Sequence, residues 1–224
     1  MKGIANPSGK LTMTFPVNYM DVASSANFPY NYQFDMRAAF AGFMNQEETK
    51  KELVRNVDYT HYEEDIYVGY RYFGPFEKSV SYPFGYGLSY TDFEYSNAQI
   101  SEKNGIFTFS VDVRNTGNVA GKEVVQLYVS APANAQLPKP EKELKAFAKT
   151  RNLKPGEIQT ISMTVKTEDL ASYNENTTAW VTDAGEYKFI AGSSSTDVKA
   201  TLNGKITKKL EVKTHDVLKL KVPM

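Results

Sequence analysis

The sequence predicts a mainly β protein, an antiparallel β-sandwich preceded by an irregular segment with one or two short helices. Three observations predict it. Beyond Phe93 apolar residues recur at every second position in strand-length runs. Turn signals such as Asn115-Thr116-Gly117 and Pro155-Gly156 separate those runs. Between Tyr59 and Tyr95 the residues are densely aromatic and interrupted by glycine, a segment ordered by packing and not by helix propensity.

In chain order, Lys10 to Phe15 reads as a short strand, and the stretch through Pro16, Ser24, Ser25 and Pro29 as connector. From Phe34 to Val57 the spacing of Met36, Phe40, Phe43 and Met44 is helical. The polar EETKKELVRN run that follows is built of good helix formers, with Leu53 and Val54 as its apolar side. The one or two short helices belong here. The densest aromatic stretch lies between Tyr59 and Tyr95, and its glycines at 69, 74, 85 and 87 show that packing must order it.

In IFTFSVDVRN, Phe107, Phe109, Val111 and Val113 alternate with Thr108, Ser110, Asp112 and Arg114, so one face is buried and the other wet. EVVQLYVS puts Val125, Leu127 and Val129 on one face and Gln126 and Tyr128 on the other. Leu153-Lys154-Pro155-Gly156 is a turn, because proline presets its own φ and glycine accepts the positive φ of a type II turn. TISMTV follows with Ile161, Met163 and Val165 inward. Trp180 and Val181 mark a short strand in which burial of the tryptophan is the default. EYKFIAG turns Tyr187, Phe189 and Ala191 to one side. At least six strands are expected from Asp92 to about Leu202, and the lysine-rich tail is an added strand or a strap.

Charge and composition exclude several functions. Lys and Arg number 26 against 26 Asp and Glu, which removes the field that would favour nucleic acid or an anionic membrane. No apolar run approaches the roughly 20 residues of a spanning helix, and the opening MKGIANPSGK lacks the apolar core of a secretory signal. With no cysteine there is no disulfide, thiolate metal site or cysteine nucleophile. His61 and His215 stand alone, so neither metal nor cofactor is expected. Ser193, Ser194 and Ser195 form a loop without a base motif, and the Asn176-Thr177-Thr178 acceptor pattern is frequent by chance. The tail lysines 208, 209, 213, 219 and 221 read as a solvated edge.

Three stretches in order resemble the end of a glycoside hydrolase of family 3. NPSGKLTMTFP (Asn6 to Pro16) looks like the last strand of that family's α/β sandwich domain. YEEDIYVGYRYF and YPFGYGLSYTDFEYS are similar to its connection into a third domain. VDVRNTGNVAGKEVVQLYVSAP, KELKAFAK, LKPGE and GEYKFIAGSSS resemble its fibronectin type III-like domain, a relative of the immunoglobulin sandwich.

The resemblance implies that residues 1–91 are the end of the α/β sandwich domain plus an extended linker, 92–202 the fibronectin type III-like sandwich, and 203–224 a tail. It also implies a parent that hydrolyses terminal β-D-glucosyl or related residues. The family's nucleophile, an aspartate of the TIM-barrel domain, and its acid/base, commonly a glutamate of the α/β sandwich domain, both lie upstream of NPSGKL. This chain is therefore expected to be non-catalytic and to have those two domains as partners.

The residues give the same answer independently. Glycoside hydrolysis needs two carboxyl groups about 5–10 Å apart around one sugar ring, and Asp58, Glu63, Glu64 and Asp65 read instead as a charged turn before a strand. Tyr67, Tyr70, Arg71, Tyr72, Phe84, Tyr86 and Tyr90 are the candidate interdomain packing or substrate-side residues, with anchoring the stronger reading and weak stacking on an oligosaccharide the other. Two further readings stay open, a stand-alone carbohydrate-binding module and a structural interaction domain. An uncovered face on residues 1–91 is expected to favour a homo-oligomer. The cellular address stays undetermined, with a periplasmic or secreted parent one option.

Overall fold

The computed structural model describes residues 5–26 and 64–215. The helices expected between Phe34 and Val57 lie outside the described residues, as do Asp58, His61, Tyr62, Glu63 and the end of the tail.

The sandwich starts with a hairpin. β3 (Phe93–Lys103) pairs antiparallel with β4 (Ile106–Asn115). Asn104 and Gly105 close it with φ of 54° and 77°, the positive pair that a two-residue turn needs to match strand twist. β4 then pairs with β7 (Ile158–Lys166), giving a sheet of order β3-β4-β7. Facing it is a sheet of order β11-β10-β5-β6, built from β5 (Val124–Ser130), β6 (Glu143–Lys149), β10 (Gly185–Gly192) and β11 (Val198–Ile206).

Period-two alternation explains the core between them. Phe107, Phe109, Val111 and Val113 meet Val125, Leu127, Tyr187 and Phe189, and the rings of Phe107 and Phe189 lie 4.8 Å apart. Each such side chain contributes about 1.5–3 kcal/mol by leaving water. The expected turn is present: Lys154 accepts from Glu157 N–H at 2.9 Å, with Gly156 at φ 79°.

A third sheet of order β12-β9-β8 joins β8 (Ser172–Asn174), β9 (Ala179–Thr182) and β12 (Leu210–Lys213). The start of the tail is thus an added strand.

Two expectations change. Lys10 to Phe15 is not one strand: Leu11 exchanges backbone bonds with Tyr86 and Gly85 at 2.8 Å, the chain bends at Thr12 and Met13, and only β1 (Phe15–Pro16) pairs with β2 (Val80–Tyr82). Pro16 has no N–H to extend that ladder. Trp180 is 47% exposed, because β9 turns Ala179 and Val181 inward and the Trp180 side chain toward water.

Candidate docking site on the outer face of the larger sheet

Gln126 and Tyr128 point away from the core, yet they are only 3% and 1% exposed. What covers them is the aromatic segment that precedes the sandwich. Tyr128 Oη donates to Gln126 Oε1 at 2.6 Å, and Gln126 Nε2 donates to the carbonyls of Gly85 at 3.0 Å and Ser193 at 2.6 Å. Ser195 N–H donates to the Phe84 carbonyl at 2.9 Å. The buried amide is satisfied at both ends, as burial requires, and it fixes residues 84–85 to β5 and to the loop that follows β10.

One helical turn, α1 (Tyr70–Phe73), lies beside it. The Tyr70 ring stacks on Phe84 at 4.7 Å and meets Tyr128 edge-on at 5.8 Å, while its hydroxyl accepts the Leu144 N–H at 2.9 Å. Burial pushes the phenols of both Tyr70 and Tyr128 upward in pKa. Arg71 Nη1 stands 3.5 Å from Glu143 Oε1 on β6. Tyr72 packs on Phe76 at 4.9 Å, and Tyr67 meets Phe76 edge-on at 5.5 Å.

The N-terminal strap is keyed to the same end. Asn6 Oδ1 accepts from Tyr90 N–H at 2.9 Å and Ser89 Oγ at 3.2 Å, while Asn6 Nδ2 donates to the Ala120 carbonyl at 3.2 Å. Lys10 Nζ pairs with Glu123 Oε1 at 2.9 Å, and Lys149 Nζ donates to the Ser8 carbonyl at 3.0 Å. Below them Asn115 is fully buried, accepting from Thr91 Oγ1 at 2.6 Å and donating to the carbonyls of Val119 and Leu153. Tyr82 and Tyr86 pack at 5.2 Å, with Phe15 against Tyr82 at 6.4 Å.

This assembly leaves many apolar side chains exposed. Met13, Phe15, Val17, Tyr19, Met20, Val68, Phe76, Tyr82, Leu88 and Tyr90 are all exposed, and so is Phe147 on β6, at 69%. Of the candidate residues, Tyr70, Arg71 and Phe84 are thus brought onto the sandwich itself. Tyr67 and Tyr72 join a ring cluster around Phe76, Tyr86 packs on Tyr82, and Tyr90 is the one with its side chain mainly outward.

Sequence reasoning missed Gln126, Asn6 and Phe147. Gln126 carried a readable signal, a lone amide in the middle of an apolar strand. Phe147 carried none.

Other motifs resolve as local structure. Glu64 and Asp65 lie in a turn, Asp65 at φ 50°. Ser193 Oγ donates to Asp197 at 2.5 Å, and Ser194 Oγ accepts from Asp197 N–H at 3.0 Å, closing a loop. Among the described residues no three of His, Cys, Asp or Glu gather as a metal would need, and no helix is long and apolar enough to cross a membrane.

A family model described as a fibronectin type III-like domain matches residues 123–195. The chain is 38% identical to the thermostable β-glucosidase B of Acetivibrio thermocellus, over 88% of this chain and 23% of that one. Among solved structures, β-glucosidase 3B of Thermotoga neapolitana in complex with glucose superposes with a TM-score of 0.76 at 40% identity, covering 93% of this chain and 26% of that one. The β-glucosidase of Kluyveromyces marxianus in complex with glucose gives 0.79 at 36% identity, with 94% and 22% covered. The chain therefore spans about a quarter of the length of these relatives.

Proposed function

We propose that this chain, whose sequence and fold match the fibronectin type III-like C-terminal part of family 3 β-glucosidases, packs on and stabilises the catalytic domains of such an enzyme without contributing a catalytic residue. One observation carries the reading: the strap and aromatic segment are pinned to the sandwich by Gln126, Asn6 and the Lys10–Glu123 pair, and their other side is a band of exposed apolar side chains. So many exposed apolar side chains on one segment are a usual mark of a partner surface.

In this reading residues 1–91 belong with the end of the α/β sandwich domain and a linker, 92–202 with the β-sandwich, and 203–224 with a tail. The partners are the TIM-barrel and α/β sandwich domains. They supply the two carboxyl groups for hydrolysis of terminal β-D-glucosyl or related residues. Tyr70, Arg71 and Phe84 hold the linker to the sandwich, and Tyr82 and Tyr90 meet the catalytic domains or the outer end of a bound oligosaccharide. Without those domains the apolar band supports self-association of this chain.

The test is complementation. The two catalytic domains are expressed with and without this chain and assayed on a chromogenic β-glucoside. The chain alone is expected to show no turnover, and adding it is expected to raise the Tm and activity of the catalytic part. Turnover by the chain alone would overturn the reading.

A further inference from the structure

A second surface lies at the far end of β4 from the strap. There the ends of the two main sheets frame a groove of about 660 Å³, a volume of small-ligand size. One wall is the β3–β4 turn, Glu102 to Ile106, with the end of β7 and the turn after it, Lys166 to Glu168. The other is the end of β11 and its loop into β12, Lys205 to Leu210.

Charge is unevenly placed on these walls. Lys166, Lys205, Lys208 and Lys209 line the groove against Glu102 and Glu168, four cations to two carboxylates. Both carboxylates are engaged on their own wall: Glu102 Oε1 accepts the Gly105 N–H at 2.7 Å, and Glu168 Oε1 stands 3.4 Å from Lys166 Nζ. On the facing wall Lys209 Nζ is 3.5 Å from Glu211 and donates to Gln136 Oε1 at 3.1 Å. Lys208 and Lys205 are exposed, and Glu186, the cross-strand neighbour of Lys205, lies outside the lining. Among the described residues neither of these two ammonium groups has an ion-pair partner.

We propose that this groove binds an acidic oligosaccharide, a chain of sugar rings carrying carboxylates, with Lys205 and Lys208 as its ion-pair partners. Lysines are separate point charges, which suits carboxylates spaced by uncharged rings, and no arginine lines the groove to offer its fork to a single phosphate. Asn104, Thr167 and Thr207 give ring hydroxyls polar partners, while Leu210 and the 40% exposed Ile106 give the carbon-bound hydrogens an apolar ledge. A nucleic acid fits less well. The one aromatic ring of the lining, Phe107, is buried, so bases have no face to stack on.

The site also stays open when the docking band is covered. β4 runs from Ile106, which lines the groove, to Asn115 beneath the strap, a span of about 30 Å at strand rise. The inference thus goes beyond the packing role and does not depend on it.

The full chain is titrated calorimetrically with hexagalacturonate and, in parallel, with cellohexaose and hexaglutamate. Saturable heat is expected with hexagalacturonate at low salt, and the binding should weaken as salt is raised, because exposed ion pairs are screened. Lys205→Gln with Lys208→Gln is expected to weaken it at least about fivefold, the worth of two exposed ion pairs. Should that variant fold poorly, the charge reversal Lys208→Glu serves alone and is expected to weaken binding as much. Lys122→Gln with Lys154→Gln removes the same charge beside the Gly121–Leu153 bridge, at the Asn115 end, and is expected to leave binding unchanged. Equal weakening by the two double variants would mark attraction to net charge and overturn the site. No saturable heat with hexagalacturonate at millimolar concentration overturns the proposal. Cellohexaose binding as tightly overturns the role of the lysines, and hexaglutamate binding as tightly overturns the sugar assignment.

Discussion

A Cβ added at Gly85 would stand 2.0 Å from Gln126 Oε1, and residue 85 has φ of 79°. The contact couples a linker glycine to β5, an inner strand of the larger sheet, across 41 residues of sequence. Gly85→Ala must strain the backbone and expel a buried amide. A loss of about 2–4 kcal/mol is expected, left-handed strain adding to overpacking. Urea unfolding checks it. Gln126→Ala removes the clash but not the strain, so the double variant should lose less than the sum of the singles.

The Lys10–Glu123 pair joins the strap to the sandwich with side chains only 17% and 10% exposed. Removing one partner leaves the other charge poorly solvated. Lys10→Met is expected to cost about 1–3 kcal/mol, less than for a fully buried pair. Hydrogen exchange at the Leu11 amide, bonded to Tyr86, should accelerate. Lys10→Met with Glu123→Gln should recover part of the loss.

Much of the sandwich was legible because its strands follow physics local to each run. Phe107 to Val113 and Ile161 to Val165 alternate against solvent on one side, and Pro155-Gly156 states its own turn. The docking face was only half legible. The density of aromatics announced packing, but what Tyr70 and Phe84 pack on depends on Tyr128, more than 40 residues downstream. Trp180 shows the limit most clearly: a strand pattern shows which residues share a face, not whether another layer covers that face.

Two hydrogen-bonded carboxylates contribute to the acid side of stability. Hydrogen bonds from Thr160 at 2.6 Å and Asn97 at 2.9 Å hold the Asp112 carboxyl below its ordinary pKa. Arg151 at 2.6 Å and the Lys154 N–H at 2.8 Å do the same for Glu157. A carboxyl depressed in the folded state stabilises above its unfolded pKa, and that contribution disappears as pH falls through the folded value. Tm should therefore drop on going below about pH 4, the range where free carboxyls take up protons. Asp112→Asn with Glu157→Gln should lower Tm at neutral pH and flatten the acid limb. Thermal melts across pH decide, and an unchanged acid limb would count against both bonds.

Phe147 separates folding from docking. Its ring is 69% exposed on β6, opposite the Gln126 that pins the linker. Such a side chain adds little to the fold, so Phe147→Ser should change the stability of the isolated chain by no more than about 0.5 kcal/mol. If the outer face of β6 meets the catalytic domains, the same change uncovers an interface position where an aromatic anchor is worth about 2 kcal/mol. Complementation by the Phe147→Ser chain should then need roughly 30-fold more protein, the concentration equivalent of that energy. Equal complementation by both chains would place the interface elsewhere, on the strap side around Phe15 and Tyr82, and the paired change Phe15→Ser, Tyr82→Ser would then be the one that weakens it.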